Sequence, residues 1–390
     1  MKVTLGNNDL KPAFSTETEY GVNLNFLTNY SFEYTFSRKR TTDEIIQVPL
    51  SGATGYQQQW QNAGTLTGHS HELSLGAVLL SKADYFWRVS FTGDRTRQKI
   101  ADLNVPPFFI GPDPNDGNTR IFRIAKGEPF GVIYGSKWIR TSEQLQQTID
   151  AGILSGSISD YKLNEDGYYV RASDYHKISE APLKAFICEE RNTNGTCKTA
   201  QSVVKIGDVN PDFNLGINST AQWKGLTFNA TLGWVKGGQI YNYTRQWPFN
   251  ELRDQVYDQS SKPATNCAAD WQTTAPTCPY NTGKKPATYY QAFYNNFDAN
   301  EYFVEKGSYF RLRELALSWG LPQKWVAGIP LNFRSARLGV VGRNLWTSTK
   351  YSGYDPDVSG PGGGNPFAYR VDYFTYPAYR TFTAMLELGY

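Results

Sequence analysis

Few side chains in this 390-residue chain stand at spacings that support catalysis or metal binding. The three histidines, His69, His71 and His176, form no HExxH arrangement and are expected in or beside loops. The sequence contains no P-loop, no GxSxG elbow and no GxGxxG between a strand and a helix. Asp355 and Asp357 form an Asp-x-Asp pair without the other ligands of a calcium loop, which favours a turn-rich surface loop. We therefore expect no enzyme, no metal site and no other cofactor.

The composition favours a β protein in contact with lipid. Aromatic residues make up 15% of the chain, with 26 Tyr, 22 Phe and 10 Trp, whereas charged residues make up 19%. The net charge of +3 gives no overall field for nucleic acid or an anionic membrane. No apolar run approaches the ~20 residues of a membrane-spanning helix. Many aromatic residues and few charges are typical of a β-barrel whose outer surface meets lipid.

Apolar and polar residues alternate with a period of two in about nine segments. These lie near residues 16–26, 32–37, 72–79, 85–92, 213–223, 226–234, 309–319, 336–343 and 381–390. Such alternation, over roughly the 9–11 residues of a tilted membrane strand, predicts an all-β fold of the antiparallel transmembrane β-barrel class. Several apolar faces end in a ring, as an interfacial girdle requires: Trp87, Trp223, Trp234, Trp319 and Tyr390. A secreted β-sandwich with one buried face is the alternative.

The connections between these segments alternate in length. Short links lie near residues 28, 82 and 224, and long links near 44–62, 98–205, 236–301 and 346–377. Short turns on one side and long extracellular loops on the other are the plan of an outer-membrane barrel. About nine strands cannot close a bacterial single-chain barrel, because such barrels have an even number of strands. We therefore expect the chain to be the end of a larger barrel.

A series of short motifs runs along nearly the whole chain. They are NDLKP at 8–12, ETEYG at 17–21, GEPFG at 127–131, YG at 134–135, GDVNPDF at 207–213, VEKGSYFRLRE at 304–314, GRNL at 342–345, YSGYDPD at 351–357, and YP at 376–377 with RTF at 380–382. In order and spacing, these motifs resemble the late barrel of SusC/RagA-type TonB-dependent transporters.

That resemblance implies an outer-membrane importer with a 22-stranded barrel, a lumenal plug and a SusD-like surface lipoprotein as its lid. Residues 1–390 are then the C-terminal part of the receptor barrel, about its last nine strands, with the signal peptide, plug domain and early strands absent. The implied partners are the SusD-like lipoprotein, the TonB complex through the missing N-terminal part, the barrel-assembly machinery and outer-membrane lipid. Nucleic acid is not an expected partner.

The function that the resemblance implies is uptake of large nutrients, of the oligosaccharide, glycan or peptide class, across the bacterial outer membrane. The alternative is a secreted or surface carbohydrate-binding or adhesion β protein without transport activity. The two differ in whether the apolar faces meet lipid or a protein core.

Four cysteines form two close pairs, Cys188/Cys197 and Cys267/Cys278, each inside a predicted external loop. An exported surface is oxidising, so we expect one disulfide within each loop. Neither pair has the CxxC spacing of a zinc site.

Aromatic residues are also frequent in the predicted external loops. Flat amphipathic rings there could stack on a ligand or pack against a lid protein. The candidates are Tyr241, Tyr243, Trp247, Phe249, Trp271, Tyr289 and Tyr290. The alternative is that these rings only pack the loops together.

The last predicted strand ends the chain in an aromatic residue. Phe382, Leu386, Leu388 and Tyr390 share one face of this strand. The pattern looks like the signal that the barrel-assembly machinery reads, and it equally fits a lipid-facing strand with a girdle ring. Both interpretations can hold together.

Overall fold

The computed structural model describes residues 4–111, 121–175, 177, 179–195, 197–257, 289–290, 293, 299–328, 333–358 and 370–390. The strands are β1 Thr4–Leu5, β2 Phe14–Phe26, β3 Tyr30–Pro49, β4 Gln58–Lys82, β5 Tyr85–Leu103, β6 Phe108–Ile110, β7 Phe122–Ile124, β8 Val132–Trp138, β9 Tyr161–Leu163, β10 Tyr169–Arg171, β11 Lys184–Ala185, β12 Ile187–Arg191, β13 Cys197–Gln201, β14 Val203–Asp208, β15 Pro211–Trp223, β16 Leu226–Gly237, β17 Gln239–Asn242, β18 Val304–Lys306, β19 Tyr309–Gly320, β20 Ser335–Thr349, β21 Val371–Asp372 and β22 Thr381–Gly389. The α-helices of the described part are α1 Ser142–Asp150, α2 Tyr243–Asn250 and α3 Gln323–Val326. Short 3-10 turns lie at Gly52–Thr54, Ile158–Asp160, Gln255–Tyr257 and Glu301–Phe303.

One large sheet carries all nine strands that the alternation predicts, so that prediction is confirmed. Its order is β2-β3-β4-β5-β15-β16-β19-β20-β22, and each neighbouring pair is antiparallel. The short β1 adds to β4 in parallel. No described helix is long and apolar enough to cross a membrane.

Cross-strand register places apolar side chains opposite apolar side chains along the sheet. One row consists of Leu24, Phe32, Leu75, Phe91, Ile217 and Leu232, from β2 to β16. A second consists of Phe228, Leu317, Val340 and Ala384, from β16 to β22. A slip of one residue would move each set to the opposite face, so the pattern specifies the register. We call this side of the sheet the apolar face and the opposite side the polar face.

The polar face contacts the connecting loops. Leu66 and Ile100 pair across β4 and β5 on this face, out of phase with Leu75 and Phe91. Ile100 is 1% exposed, and both side chains pack into the largest hydrophobic cluster of the loops. The apolar face therefore points away from the loops, and many of its large side chains are exposed.

Tight turns join strands at the end of the sheet that lies away from these loops. Leu27 and Thr28 have positive φ between β2 and β3, and Lys224 and Gly225 have positive φ between β15 and β16. The last pair fits a two-residue hairpin, whose left-handed positions glycine adopts without strain.

The long connection predicted at 44–62 is wrong in its extent, because β3 continues to Pro49 and β4 begins at Gln58. A bulge between Thr41 and Glu44, with Asp43 at φ 53°, shifts the register and hides the alternation. His69 and His71 consequently lie inside β4 rather than in or beside a loop. His176 lies outside the described residues.

The connection between β5 and β15 forms structure of its own. It contains a sheet of order β11-β8-β7-β6, with β14 also paired to β8. The sequence after Arg140 predicts a short helix capped by Thr141 or Ser142, and α1 confirms it with Thr141 as N-cap and Gln144 completing a capping box. We call the described residues of 104–209, 238–308 and 350–380 the loop layer.

Oppositely charged side chains of neighbouring strands pair at two places on the polar face. Arg343 lies 2.9 Å from Glu314, and Arg337 lies 3.9 Å from Glu387. Both pairs are substantially exposed in this chain. Each exposed ion pair therefore contributes little to the free energy of unfolding and mainly orients its two side chains.

Candidate functional site

The loop layer is built around a core of aromatic rings. Phe249 packs against Tyr302 and Phe303 with ring centroids 5.3 Å apart, and Phe293 stacks on Tyr302 at 4.5 Å. Trp138 meets Phe293 edge to face at 5.1 Å. These offset and edge-on geometries are the ones that aromatic quadrupoles favour. The layer is thus held by its own core.

Five of the predicted ligand-facing rings belong to this core rather than to its surface. Tyr241, Tyr243, Phe249, Tyr289 and Tyr290 are each 5% exposed or less. For these five, the structure shows the alternative role, packing within the loops, because the long segments between strands need an apolar interior of their own. Trp247 is 36% exposed, and Trp271 lies outside the described residues.

Two of the buried tyrosine hydroxyls donate hydrogen bonds to side chains of the loop layer. Tyr241 donates to Oε1 of Gln246 at 2.6 Å, and Tyr289 donates to Oδ2 of Asp166 at 2.8 Å. Burial, followed by the nearby Asp166 carboxylate, raises the pKa of Tyr289 far above its ordinary value. The Tyr289 phenol therefore stays protonated and acts as a donor within the layer.

An exposed ring patch lies where α2 meets the segment after β21. Phe374 is 50% exposed and lies against Tyr243 and Trp247, with centroids 5.9 and 6.3 Å away. Its backbone N–H donates to Oγ1 of Thr244 at 2.7 Å, which fixes the segment to the helix. Trp247 and Phe374 form the exposed ring patch. Trp247 was among the predicted ring candidates and Phe374 was not, although Tyr373, Phe374, Tyr376 and Tyr379 follow one another closely in the sequence.

A buried ion pair connects β19 to the loops above it. Arg311 is 3% exposed, and its guanidinium contacts the carboxylate of Asp355, which is 7% exposed. Asp355 also accepts from the backbone N–H groups of Asp357 and Ala378, at 2.9 and 3.1 Å. Although burial raises the pKa of Asp355, these backbone donors and Arg311 outweigh burial and hold it below its ordinary value.

The expectation of a turn-rich surface loop is therefore wrong for Asp355. Asp357, which is more exposed, lies 3.3 Å from Arg313 and 3.7 Å from Arg311. Both carboxylates face arginines, and the described residues contain no cluster of three potential metal ligands. The YSGYDPD motif therefore has a structural role, because its two aspartates bind arginines of β19. The sequence alone did not show these partners, Arg311 and Arg313, which each lie 44 residues from their aspartate.

A second polar cluster connects three strands of the loop layer. Glu305 of β18 accepts from Nδ2 of Asn242 at 3.0 Å and from the backbone N–H of Ser352 at 2.8 Å. The hydroxyl of Tyr351 donates to Asp372 of β21. Burial, and then the Asp372 carboxylate, raise the pKa of Tyr351 far above its ordinary value. These hydrogen bonds connect Tyr351 and Ser352 to β18 and β21.

Two of the sequence motifs meet where β5 extends beyond β15. In GEPFG, the Phe130 N–H donates to the Gln98 carbonyl at 3.1 Å, so the motif takes the place of a neighbouring strand. In GDVNPDF, Val209 donates to the Gly131 carbonyl at 3.0 Å, and Asn210 donates to the Phe130 carbonyl at 2.7 Å. These motifs attach the loop layer to the large sheet.

A crevice of about 260 Å³ lies beside this junction, lined by Asp94, Arg95, Thr96, Gln98, Phe130, Asn210, Pro211, Phe213 and Asn214. Sites for small ligands are usually about 300–1,000 Å³. The crevice is therefore too small for a large nutrient.

Cys188 and Cys197 form a disulfide that joins β12 to β13, with Cα atoms 5.6 Å apart. This confirms the first of the two predicted bonds. Cys267 and Cys278 lie outside the described residues.

The terminal strand β22 pairs with β20, and Phe382 and Leu386 on its apolar face are 77% and 61% exposed. Leu388 and Tyr390 are 38% and 79% exposed. A role of these four residues as an assembly signal remains a prediction.

Together, the nine-stranded antiparallel sheet, its apolar face and the loop layer define the fold of an outer-membrane TonB-dependent transporter barrel. Among solved structures, the chain matches the RagAB peptide importer in its "closed-closed" state with a TM-score of 0.67 and 21% identity, over 98% of this chain and 36% of that one. It matches another structure of the RagAB peptide transporter with a TM-score of 0.64, over 96% of this chain and 35% of that one.

The chain is homologous to TonB-dependent receptors. TonB-dependent receptor P3 of Formosa agariphila is 26% identical over 392 residues, 98% of this chain and 35% of the receptor. Receptor P26 of the same organism is 24% identical over 367 residues, 92% of this chain and 32% of the receptor. The chain thus spans about a third of the length of these relatives, which are receptors rather than enzymes. No protein-family model matches the chain.

Proposed function

We propose that this chain forms the C-terminal part of the barrel of a TonB-dependent importer in the bacterial outer membrane. Residues 1–390 would supply about the last nine strands of a 22-stranded barrel. The plug and the earlier strands would belong to the portion of the relatives that this chain does not cover. The loop layer would then lie on the extracellular side.

The observation that carries this proposal is the continuous apolar face. It crosses nine strands in register and points away from the core of the loop layer. In the described residues, β2 pairs only with β3, and β22 pairs only with β20, so the sheet has two open edges. A lipid-exposed sheet must pair its edges with further strands to satisfy their backbone groups.

The proposed cargo is a large nutrient of the oligosaccharide, glycan or peptide class, and the proposed partner is a SusD-like surface lipoprotein. RagAB, which has the same fold, is described as a peptide importer. The exposed ring patch of Trp247 and Phe374 offers flat apolar surface that suits a sugar face or a partner protein.

The membrane placement is tested with Leu75→Arg and its neighbour Ser74→Arg in the complete protein that carries this chain. Leu75 lies on the apolar face and Ser74 on the polar face of the same strand. Near the bilayer midplane, an arginine on the lipid side costs about 2–4 kcal/mol. We expect Leu75→Arg to lower the folded, heat-modifiable fraction in outer membranes, and Ser74→Arg to leave that fraction near wild type.

Release of the wild-type protein from membranes by alkaline washing would contradict the proposal and favour a secreted adhesion or carbohydrate-binding protein. Equal effects of the two arginines would also contradict it. The import role is tested separately, by deleting the gene and measuring growth on single oligosaccharides and peptides. Co-purification of a surface lipoprotein with the wild-type protein tests the partner.

A further inference from the structure

The apolar face becomes basic beyond the apolar rows, at the end of β3, β4 and β5 that lies away from the tight turns. The successive paired rows are Phe36–His71–Arg95, Arg38–His69–Arg97 and Arg40–Thr67–Lys99. We call these the basic rows. None of their side chains is a carboxylate, although the whole chain carries a net charge of only +3. The near-neutral total therefore conceals a local positive surface.

The basic rows point away from the protein interior. On the same strands, Leu66 and Ile100 alternate with Thr67 and Lys99, and these two apolar side chains pack into the core of the loop layer. Because successive side chains of a strand point to opposite faces, the cations share the face of Phe32 and Leu75. They lie directly beyond the apolar rows.

Most of these cations are available to an external anion. Arg38, Arg40, Arg95 and Lys99 are exposed, and no hydrogen bond or ion pair joins their side chains to another described residue. Arg97 differs, since it donates to the Pro211 carbonyl at 2.6 Å and lies 3.8 Å from Asp212.

Carboxylates near the rows do not neutralise them. The Asp102 carboxylate interacts electrostatically with Arg40, but its ion-pair partner is Lys126, at 2.8 Å. Among the cations of the basic rows, Arg97 is the one that forms an ion pair with Asp212 in the described residues. The surface therefore keeps an excess of positive charge.

At the boundary with the apolar rows, polar atoms of aromatic side chains meet. The Tyr34 hydroxyl lies 2.8 Å from Nδ1 of His71, and the Phe36 and His71 rings are 5.0 Å apart. Amphipathic rings at the border between an apolar and a polar band of a membrane protein typically lie at the level of the lipid headgroups.

We propose that the basic rows bind the phosphate of an outer-leaflet lipid headgroup, with the acyl chains lying along the apolar rows below. The proposal rests on the proposed function, which places the apolar face in the outer membrane. Strands about 4.8 Å apart bring cations of adjacent strands close enough to share one phosphate group. Guanidinium groups hold phosphate through paired, charge-assisted hydrogen bonds.

The test uses the complete protein in phosphatidylcholine nanodiscs with or without phosphorylated lipid A. The variant R38Q/R40Q/R95Q removes three exposed cations and keeps Arg97, which bonds to the backbone of β15. The control is K39Q, because Lys39 lies between Arg38 and Arg40 but on the polar face, opposite Glu17. Bound lipid A is counted by native mass spectrometry, and heat-modifiable migration verifies folding.

We expect wild type and K39Q to retain lipid A equally. Each cation near an anionic surface raises binding affinity about five-fold, so the affinity of the triple variant for lipid A should be lower by a factor on the order of a hundred. R95Q alone, expected to lose about five-fold, serves if the triple variant does not assemble. Equal retention by wild type and the triple variant would overturn the inference, as would displacement of lipid A by inorganic phosphate at the same phosphate concentration. Either result, in a protein that inserts normally, leaves the proposed function standing.

Discussion

Replacing Asp355 with alanine removes the anion that balances a buried arginine. Arg311 is 3% exposed, so Asp355→Ala leaves a buried guanidinium that faces the more exposed Asp357 carboxylate, at 3.7 Å, in place of its buried partner. Breaking a buried pair from one side costs about 3–5 kcal/mol. Asp355 also accepts from the N–H groups of Asp357 and Ala378, so the change frees both loop segments at once.

The matched control is Asp357→Ala. Asp357 has a side chain 43% exposed and meets Arg313 at 3.3 Å, so solvent screens the interaction. Loss of an exposed pair of this kind costs about 0–1 kcal/mol. The two substitutions lie two residues apart in one loop and differ mainly in burial.

Hydrogen exchange of the complete protein, measured on peptides covering 351–358 and 370–380, reports the opening of these segments. A loss of about 3–5 kcal/mol corresponds to exchange faster by a factor on the order of a hundred to several thousand. We expect that acceleration for Asp355→Ala and less than about ten-fold for Asp357→Ala. Similar exchange in the two variants would refute the claim that burial of the Arg311–Asp355 pair holds the loop layer to β19.

Two further predictions concern pH and the disulfide. Because the pKa of Asp355 is lowered in the folded protein, its contribution to stability is present above the unfolded pKa of about 4 and is lost as pH falls through the folded value. Exchange of residues 351–358, corrected for its intrinsic pH dependence, should thus be flat from pH 8 to about 5 and accelerate only in stronger acid; a change between pH 6 and 8 would contradict this. Replacing Cys188 and Cys197 with serine should remove about 2–3 kcal/mol from the β12–β13 hairpin, because the bond closes a short loop over a sequence separation of 9. Limited proteolysis should then cut near residues 188–197 while heat-modifiable migration of the barrel is unchanged; loss of the folded barrel itself would show that the bond acts beyond its hairpin.

The large sheet was predictable because its strands obey a local rule. A strand with lipid or core on one side and a polar interior on the other alternates apolar and polar residues with a period of two. Leu73 and Leu75, like Phe228 and Leu232, show this pattern within their own strand, so it can be recognised before the neighbouring strand is known. The same rule failed beyond Thr41. There a bulge shifts the alternation of apolar and polar residues by one position. β3 and β4 continue past the bulge, so the segment 44–62 was predicted as a loop although much of it is strand.

The candidate site was harder to predict because burial of loop residues is a long-range property. Tyr289 and Tyr241 resemble surface rings in sequence, yet each is covered by segments far along the chain, as the bond from Asn164 to the Tyr289 hydroxyl shows. Phe374 was missed because only its packing on α2 makes it part of a surface.

The sequence by itself determined the nine strands of the large sheet, the short turns, the cap of α1 and the close pairing of Cys188 with Cys197, since each depends on neighbours within a few residues. Only the tertiary structure decided that Asp355 is the partner of Arg311, that the loop aromatics form a core, and that the cations of β3, β4 and β5 share one surface. Those arrangements follow from register and packing between segments tens of residues apart, which local alternation does not encode.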